Sequence, residues 1–131
     1  MTGFKADVVA MIVVRDLGCC VRCGSHVAHL ERGRDWAIHH RRPRGAGGTS
    51  VEWVNRAANG VVLCTACHGW IESHRTAAIE AGWLISQNGR LRAVDAPLTH
   101  VTLGRVFLTD EGSWVSADGP TEPDAWMEKV A

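Results

Sequence analysis

Four of the five cysteines form two Cys-x-x-Cys pairs, a spacing that can hold a metal ion. The pairs are Cys20/Cys23 and Cys64/Cys67. Two thiolates at this spacing can reach one tetrahedral ion from a tight turn, and Gly24 suits such a turn because glycine tolerates positive φ. An odd cysteine count and a reducing cytosol both disfavour disulfides. We therefore predict one structural Zn²⁺ bound by both pairs. Cys19 is left as a small filler, an exposed thiol or a competitor of Cys20.

The histidines form a second group with ligand chemistry. His39 and His40 are adjacent and precede a basic run, while His68 directly follows Cys67. Adjacent residues on a strand point to opposite faces, so the two neighbours need different roles. One imidazole can bind a metal ion while the other faces substrate. A strand–loop–helix unit can bring one of them and His68 to the same ion.

These motifs together resemble a known enzyme family. The run IHHRRPRGAGG over 38–48, Asn59, and LCTACH over 63–68 resemble the HNH endonucleases, and most closely the small stand-alone HNH proteins of phages. The strong match covers residues 16–75. The resemblance implies an α+β fold: a ββα-metal (His-Me finger) core clasped by the four-cysteine zinc site, with an N-terminal helix and C-terminal β-hairpins.

The resemblance also implies a role for each matching residue. His39 and His68 would bind the catalytic divalent ion. His40 would be the general base, because an imidazole is largely neutral near pH ~7 and can accept a proton from water. Asn59 would hold the loop between the strands and so orient His40. Asn55 is a weaker candidate for that role because its spacing to His68 does not fit.

Glu72 stands where the family usually has a second helical histidine, four residues after His68. A carboxylate suits Mg²⁺ or Mn²⁺, so Glu72 is predicted to replace that histidine as a ligand. His74 is the alternative, but at ~100° per residue it points away from His68 unless the helix is irregular. A third alternative is that neither residue binds the ion.

Arginines flank this motif. Arg41, Arg42 and Arg44 follow the histidine pair, and Arg75 and Arg56 lie further along the chain. Guanidinium groups bind phosphate oxygens bidentately and position a nucleic-acid backbone without reading its sequence. We expect the first three and Arg75 to contact double-stranded DNA.

The charge is unevenly distributed along the 131 residues. Fourteen basic residues balance fourteen acidic ones, but residues 1–75 hold ten against six, and residues 76–131 hold four against eight. This asymmetry, with the motif positions, predicts a nuclease domain with its zinc ribbon over 1–82. An extension of short strands and an acidic tail would follow over 83–131.

Apolar patterning predicts the elements that position these residues. We expect helices over 4–16 and 68–81, the second ending near Gly82, and a short helical turn over 52–58. Strands are expected over 37–40, 61–63, 83–85, 91–94 and 101–108. Asn88-Gly89 is a hairpin signal between the third and fourth of these strands.

The sequence thus favours a metal-dependent HNH DNA endonuclease that nicks or cuts the duplex. No apolar run approaches the ~18–20 residues of a membrane span, so we expect no membrane contact and a cytoplasmic protein, in the host cytoplasm if it is phage-encoded. The resemblance further implies a partner in genome packaging, phage terminase or another packaging protein. The alternatives are a noncatalytic zinc-ribbon DNA-binding module with a decayed HNH site, and a structural accessory of a packaging motor.

Overall fold

Three α-helices and two small antiparallel sheets make up the computed structural model, which describes residues 3–45 and 51–118. In chain order the elements are α1 (Ala6–Arg15), β1 (Trp36–His40), β2 (Gly60–Cys64), α2 (Thr65–Ser73), α3 (Arg75–Glu80), β3 (Leu98–His100), β4 (Gly104–Leu108) and β5 (Trp114–Ser116). Short 3-10 helices cover Glu52–Asn55, Ala57–Asn59 and Ala93–Asp95. The predicted α+β class is confirmed. The predicted acidic end of the chain, from residue 119 onward, lies outside the described residues.

The first sheet pairs β1 with β2, in a register that places His40 opposite Gly60 and Trp36 opposite Cys64. Helix α2 begins at Thr65, directly after β2. Two antiparallel strands and a helix therefore follow one another and pack together. Both strands expected from the sequence in this region are present, each extended by one or two residues.

Helix α1 covers one side of this sheet. Phe4 and Ile12 are buried against it, in a cluster that includes Ile38 and Val62. Burying such side chains contributes about 1.5–3 kcal/mol each. Gly60 makes the close approach possible, because a Cβ there would lie 2.9 Å from the Phe4 ring.

The second sheet is a β3-β4-β5 meander. It shares a core with the first half of the chain: Leu84, Leu98 and Val106 lie in the same buried cluster as Val61 and Ile71. Residues on both sides of the predicted 82/83 boundary therefore complete one hydrophobic core.

The single helix expected over 68–81 is two helices. The backbone of His74, with φ −132° and ψ 55°, separates α2 from α3. The His74 Nδ1–H donates to the carbonyl of Trp70 at 2.9 Å, and the imidazole stacks on the Trp70 ring at 4.2 Å. These local contacts compete with helix continuation. Gly82, at φ +81°, follows the end of α3 as expected.

The strands expected over 83–85 and 91–94 are wrong, and so is the hairpin at Asn88-Gly89. Short apolar runs do not distinguish strands from other buried segments. The backbone N–H groups of Leu84 and Ile85 instead donate to the carbonyls of Ala78 and Arg41. Within 101–108, only Gly104–Leu108 is a strand.

A buried polar network joins α1 to both sheets. The Asp16 carboxylate accepts hydrogen bonds from Arg15, from His100 Nε2 and from the backbone N–H of Val62. Burial raises the pKa of Asp16, but the His100 hydrogen bond and the Arg15 charge outweigh it and hold that pKa below its usual value. No motif in the sequence signals this network.

Across 3–45 and 51–118, the structure has no helix that is both long enough and apolar enough to cross a membrane.

Candidate functional site

The four paired cysteines converge on one point. Their sulfur atoms all lie within 4.8 Å of one another, and the Cys23 and Cys64 sulfurs are 3.8 Å apart. A tetrahedral zinc–thiolate centre with bonds of ~2.3 Å has sulfurs about 3.8 Å apart. The cluster can therefore hold a metal ion such as zinc. Gly24 has φ +81°, as the predicted turn requires.

Further contacts connect this cluster to Arg22 and to helix α2. The Arg22 guanidinium donates to the Cys67 sulfur at 3.3 Å and lies 3.7 Å above the Trp70 ring, which places a positive charge beside the sulfur atoms of the cluster. Cys64 is the N-cap of α2 and accepts from the Cys67 backbone N–H at 3.4 Å. Cys19 is outside the cluster: its thiol lies 3.3 Å from the Leu17 carbonyl, so Cys20 is the residue of this pair that meets the other sulfurs.

The histidine pair and α2 line one open cleft of about 280 Å³. Its walls are formed by Ile38, His39, His40, Pro43, Arg44, Gly45, His68 and Glu72. The rings of His39 and His68 are 5.2 Å apart between centroids, at 74° to each other. His39 Nε2–H donates to the Trp83 carbonyl at 2.9 Å, which leaves the lone pair on Nδ1. Burial and the nearby His68 lower the pKa of His39 to about 4, so its imidazole is neutral at pH 7.

Glu72 lies on the same wall as His68, one helical turn further along. Its carboxylate is engaged by Arg75, with Oε2 and Nη1 3.5 Å apart. Among the described residues, the four cysteines are the one cluster of three or more potential ligands gathered closely enough to share an ion. The chemistry of His39, His68 and Glu72 suits a divalent ion, but Glu72 must turn from Arg75 to join the two imidazoles.

His40 is held from two sides. Its Nε2–H donates to Oδ1 of Asn55 at 2.8 Å, and its ring stacks on Phe4 with centroids 4.2 Å apart. Burial lowers the pKa of His40, with the Asn55 hydrogen bond acting in the opposite direction. Nothing in the sequence indicates the contact with Phe4. The spacing to His68 favours Asn59 over Asn55, because distance along the chain does not report contacts across a loop.

Asn59 is fully buried beneath the loop that follows β1. Its Oδ1 accepts from the backbone N–H of Arg42 at 2.8 Å, and its Nδ2 donates to the carbonyls of Arg42 and Val54. The side chain therefore fixes the loop backbone just beyond His40. The direct contact to the imidazole comes from Asn55.

The prediction that Arg41 contacts DNA is wrong. Its side chain is fully buried, because it leaves the end of β1 on the face that packs against the rest of the core. The guanidinium donates to four backbone carbonyls, those of Ala58, Gly82, Ala93 and Ala96. Arg41 therefore fastens the end of β1 to the C-terminal half of the molecule.

The other predicted cations remain at the surface. Arg44 lines the cleft, and the half-buried Arg42 donates to the Gln87 carbonyl at 3.2 Å. Arg75 is exposed on α3 beside Glu72. His74 packs on Trp70 rather than on the cleft, so the structure does not bring it to His39 and His68.

Comparisons with known protein families, with curated proteins and with solved structures find no match for this chain. Any statement about its function therefore depends on the side chains of the cysteine cluster and of the cleft.

Proposed function

We propose that this protein is a metal-dependent HNH DNA endonuclease, with β1, β2 and α2 as its ββα-metal core. One observation carries the proposal. Two histidines from β1, together with His68 and Glu72 from α2, line a single open cleft whose rim includes Arg44. Imidazole, carboxylate and guanidinium groups can together bind a divalent ion, accept a proton from water and stabilise a phosphate, as phosphodiester hydrolysis needs.

His39, His68 and Glu72 would hold the catalytic divalent ion, Mg²⁺ or Mn²⁺. When bound, this ion would stabilise negative charge on the phosphate and on the leaving oxygen. His40 would be the general base: burial lowers its pKa, which favours the neutral imidazole that can accept the proton of the attacking water. Asn59 would keep the loop beyond His40 in place through its bonds to the Arg42 backbone.

Double-stranded DNA is the proposed substrate. Arg44 lies at the cleft and would grip a phosphate next to the cleaved bond, while Arg42 and Arg75 would hold flanking phosphates. The cysteine cluster would bind a structural Zn²⁺ that secures both ends of the segment carrying His39 and His40. By its resemblance to phage HNH proteins, the enzyme would act in the host cytoplasm with terminase or another packaging protein.

A plasmid assay tests the activity. Zinc-loaded protein is incubated with supercoiled plasmid and Mg²⁺ or Mn²⁺, beside His40→Ala and the matched control His74→Ala. We expect nicked or linear product from wild type and from His74→Ala. His40→Ala should lose at least ~100-fold, the usual contribution of a general base. Intact plasmid with every protein and both metals would refute the nuclease.

A noncatalytic zinc-ribbon DNA-binding module is the second candidate. The observation that favours it is the ion pair of Glu72 with Arg75, which occupies a proposed ligand. This alternative predicts DNA binding by wild type and by His40→Ala with equal affinity, and no cleavage by either. The plasmid assay combined with a gel-shift measurement therefore separates the two.

A further inference from the structure

The imidazole of His40 is in contact with two residues from outside the β1-β2-α2 unit. Phe4 belongs to the segment before α1, and Asn55 ends the first 3-10 helix. The Phe4 and His40 rings are stacked at an interplanar angle of 18°. Asn55 does not line the cleft that His40 lines; it lines a separate hollow with Lys5 and Arg56. The hydrogen bond therefore comes from a residue outside the lining of the cleft.

The hydrogen bond determines which ring nitrogen carries the proton. A carbonyl oxygen can only accept, so Oδ1 of Asn55 selects the neutral tautomer with hydrogen on Nε2. The lone pair is then on Nδ1. Because an amide carries no charge, this contact orients the ring without the electrostatic pull toward the imidazolium that a carboxylate would exert.

The stacking determines the plane of the ring. Phe4 is 8% exposed and lies over Gly60, the residue opposite His40 in the sheet. A Cβ at Gly60 would meet the Phe4 ring at 2.9 Å, so glycine leaves the space that Phe4 fills. The ring of His40 is thus restricted both in rotation, by the stack, and in tautomer, by the amide.

We propose that Asn55 and Phe4 are the positioning residues of His40, which present Nδ1 as the basic nitrogen of the cleft. The proposal rests on the proposed function in one respect, that His40 is the general base. The arrangement of the ring itself does not depend on catalysis and can be measured separately.

The direct test is the tautomer of His40. Nitrogen-15 shifts and ring couplings are recorded on the full zinc-loaded chain at about pH 8, where neutral imidazole predominates. We expect the Nε2–H form in wild type and a mixture of both forms in Asn55→Leu. Asn55→Asp keeps an acceptor and should restore the Nε2–H form. Asn88→Leu, the same change at an exposed asparagine, should leave the signal unaltered.

Kinetics provide the second readout. In Asn55→Leu and in Phe4→Leu, kcat for plasmid nicking should fall ~10-fold or more, with KM within ~2-fold of wild type. Bound zinc and the amide spectrum verify that each variant is folded. An unchanged tautomer in folded Asn55→Leu, or an unchanged kcat in both variants, would overturn the proposal. If wild type leaves the plasmid intact, the proposed function fails, and the tautomer measurement still decides the geometry of His40.

Discussion

Arg41 and Arg44 belong to one basic run, yet their side chains have opposite environments. Arg41 is buried among carbonyl oxygens, whereas Arg44 lines the cleft. A guanidinium has five N–H donors and can satisfy several carbonyls at once, so it can be buried without a carboxylate partner. Counting charges in a sequence run therefore overestimates the number of cations at the surface.

The role of Glu72 as a metal ligand can be tested by substitution. If this carboxylate binds the catalytic ion, Glu72→Ala should lower the rate of nicking by more than ~100-fold. Substituting a residue that only hydrogen-bonds to a metal ligand already costs about 10–100-fold in metal affinity or activity. Glu72→His should retain activity with a changed metal preference, because imidazole favours softer ions than Mg²⁺. Rates of plasmid nicking in a series of divalent metals measure both effects.

Glu80→Ala is the matched control, because Glu80 is exposed on α3 and does not line the cleft. It should nick at the wild-type rate. Full activity in Glu72→Ala would remove this residue from the ligand set and leave its ion pair with Arg75 as its role.

The elements around the site were predictable to different degrees. Short apolar runs next to turn-rich segments predict the strands β1 and β2. The glycine at position 82 predicts the end of the helix before it. The break at His74 was not predictable, because it depends on the stacking of its ring on Trp70. The segment after Gly82 is irregular, although its apolar residues favour a strand. Its backbone N–H groups bond to the carbonyls of Ala78 and Arg41, and no sequence pattern indicates these partners.

Gly82, which follows α3, lies close to the start of β3, so a side chain there should destabilise the protein. Gly82 has φ +81°, and a Cβ there would overlap the Pro97 carbonyl oxygen and lie 2.8 Å from Leu98 Cα. Gly82→Ala should lower the free energy of unfolding by about 3 kcal/mol, from left-handed strain plus overpacking. Urea denaturation of the zinc-loaded protein measures this change.

Gly104→Ala separates the two causes. Gly104 has φ +87°, but a Cβ there would meet nothing within 4 Å. This variant should lose only about 1 kcal/mol, the strain contribution alone. Equal losses at both positions would show that the contact with β3 adds nothing to the cost.

At the scale of the whole molecule, the cysteine pattern was the most informative part of the sequence. Few residue types bind zinc, and a tetrahedral ion constrains their spacing. The structure gathers all four paired cysteines closely enough to hold such an ion. The shared core was not foreseen: Leu84, Leu98 and Val106 pack with Val61 across the expected boundary. Apolar residues in sequence show that a core exists, but not which segments share it.

If the cysteine cluster binds zinc, the stability of the whole protein should depend on that ion. We expect about one zinc per chain, and unfolding when a strong chelator removes it, because metal binding to such a site contributes directly to folding. Cys64→Ser should lose the metal and most of the secondary structure, as read by elemental analysis and circular dichroism. Cys19→Ser, outside the cluster, should keep both. A folded wild-type chain without metal would contradict this role.

The location of Cys64 and Cys67 at the start of α2 also bears on the order in which the protein can mature during synthesis. The last thiolate of the cluster leaves the ribosome one residue before His68. An ion bound at that moment would fix β2 against the first cysteine pair before the rest of α2 is made. Three of the four carbonyls that hold Arg41, and the carbonyl that holds His39, belong to residues 82–96 and emerge later still. In a nascent chain the four cysteines would thus be able to bind an ion before residues 82–96 are available to hold the side chains at the end of β1.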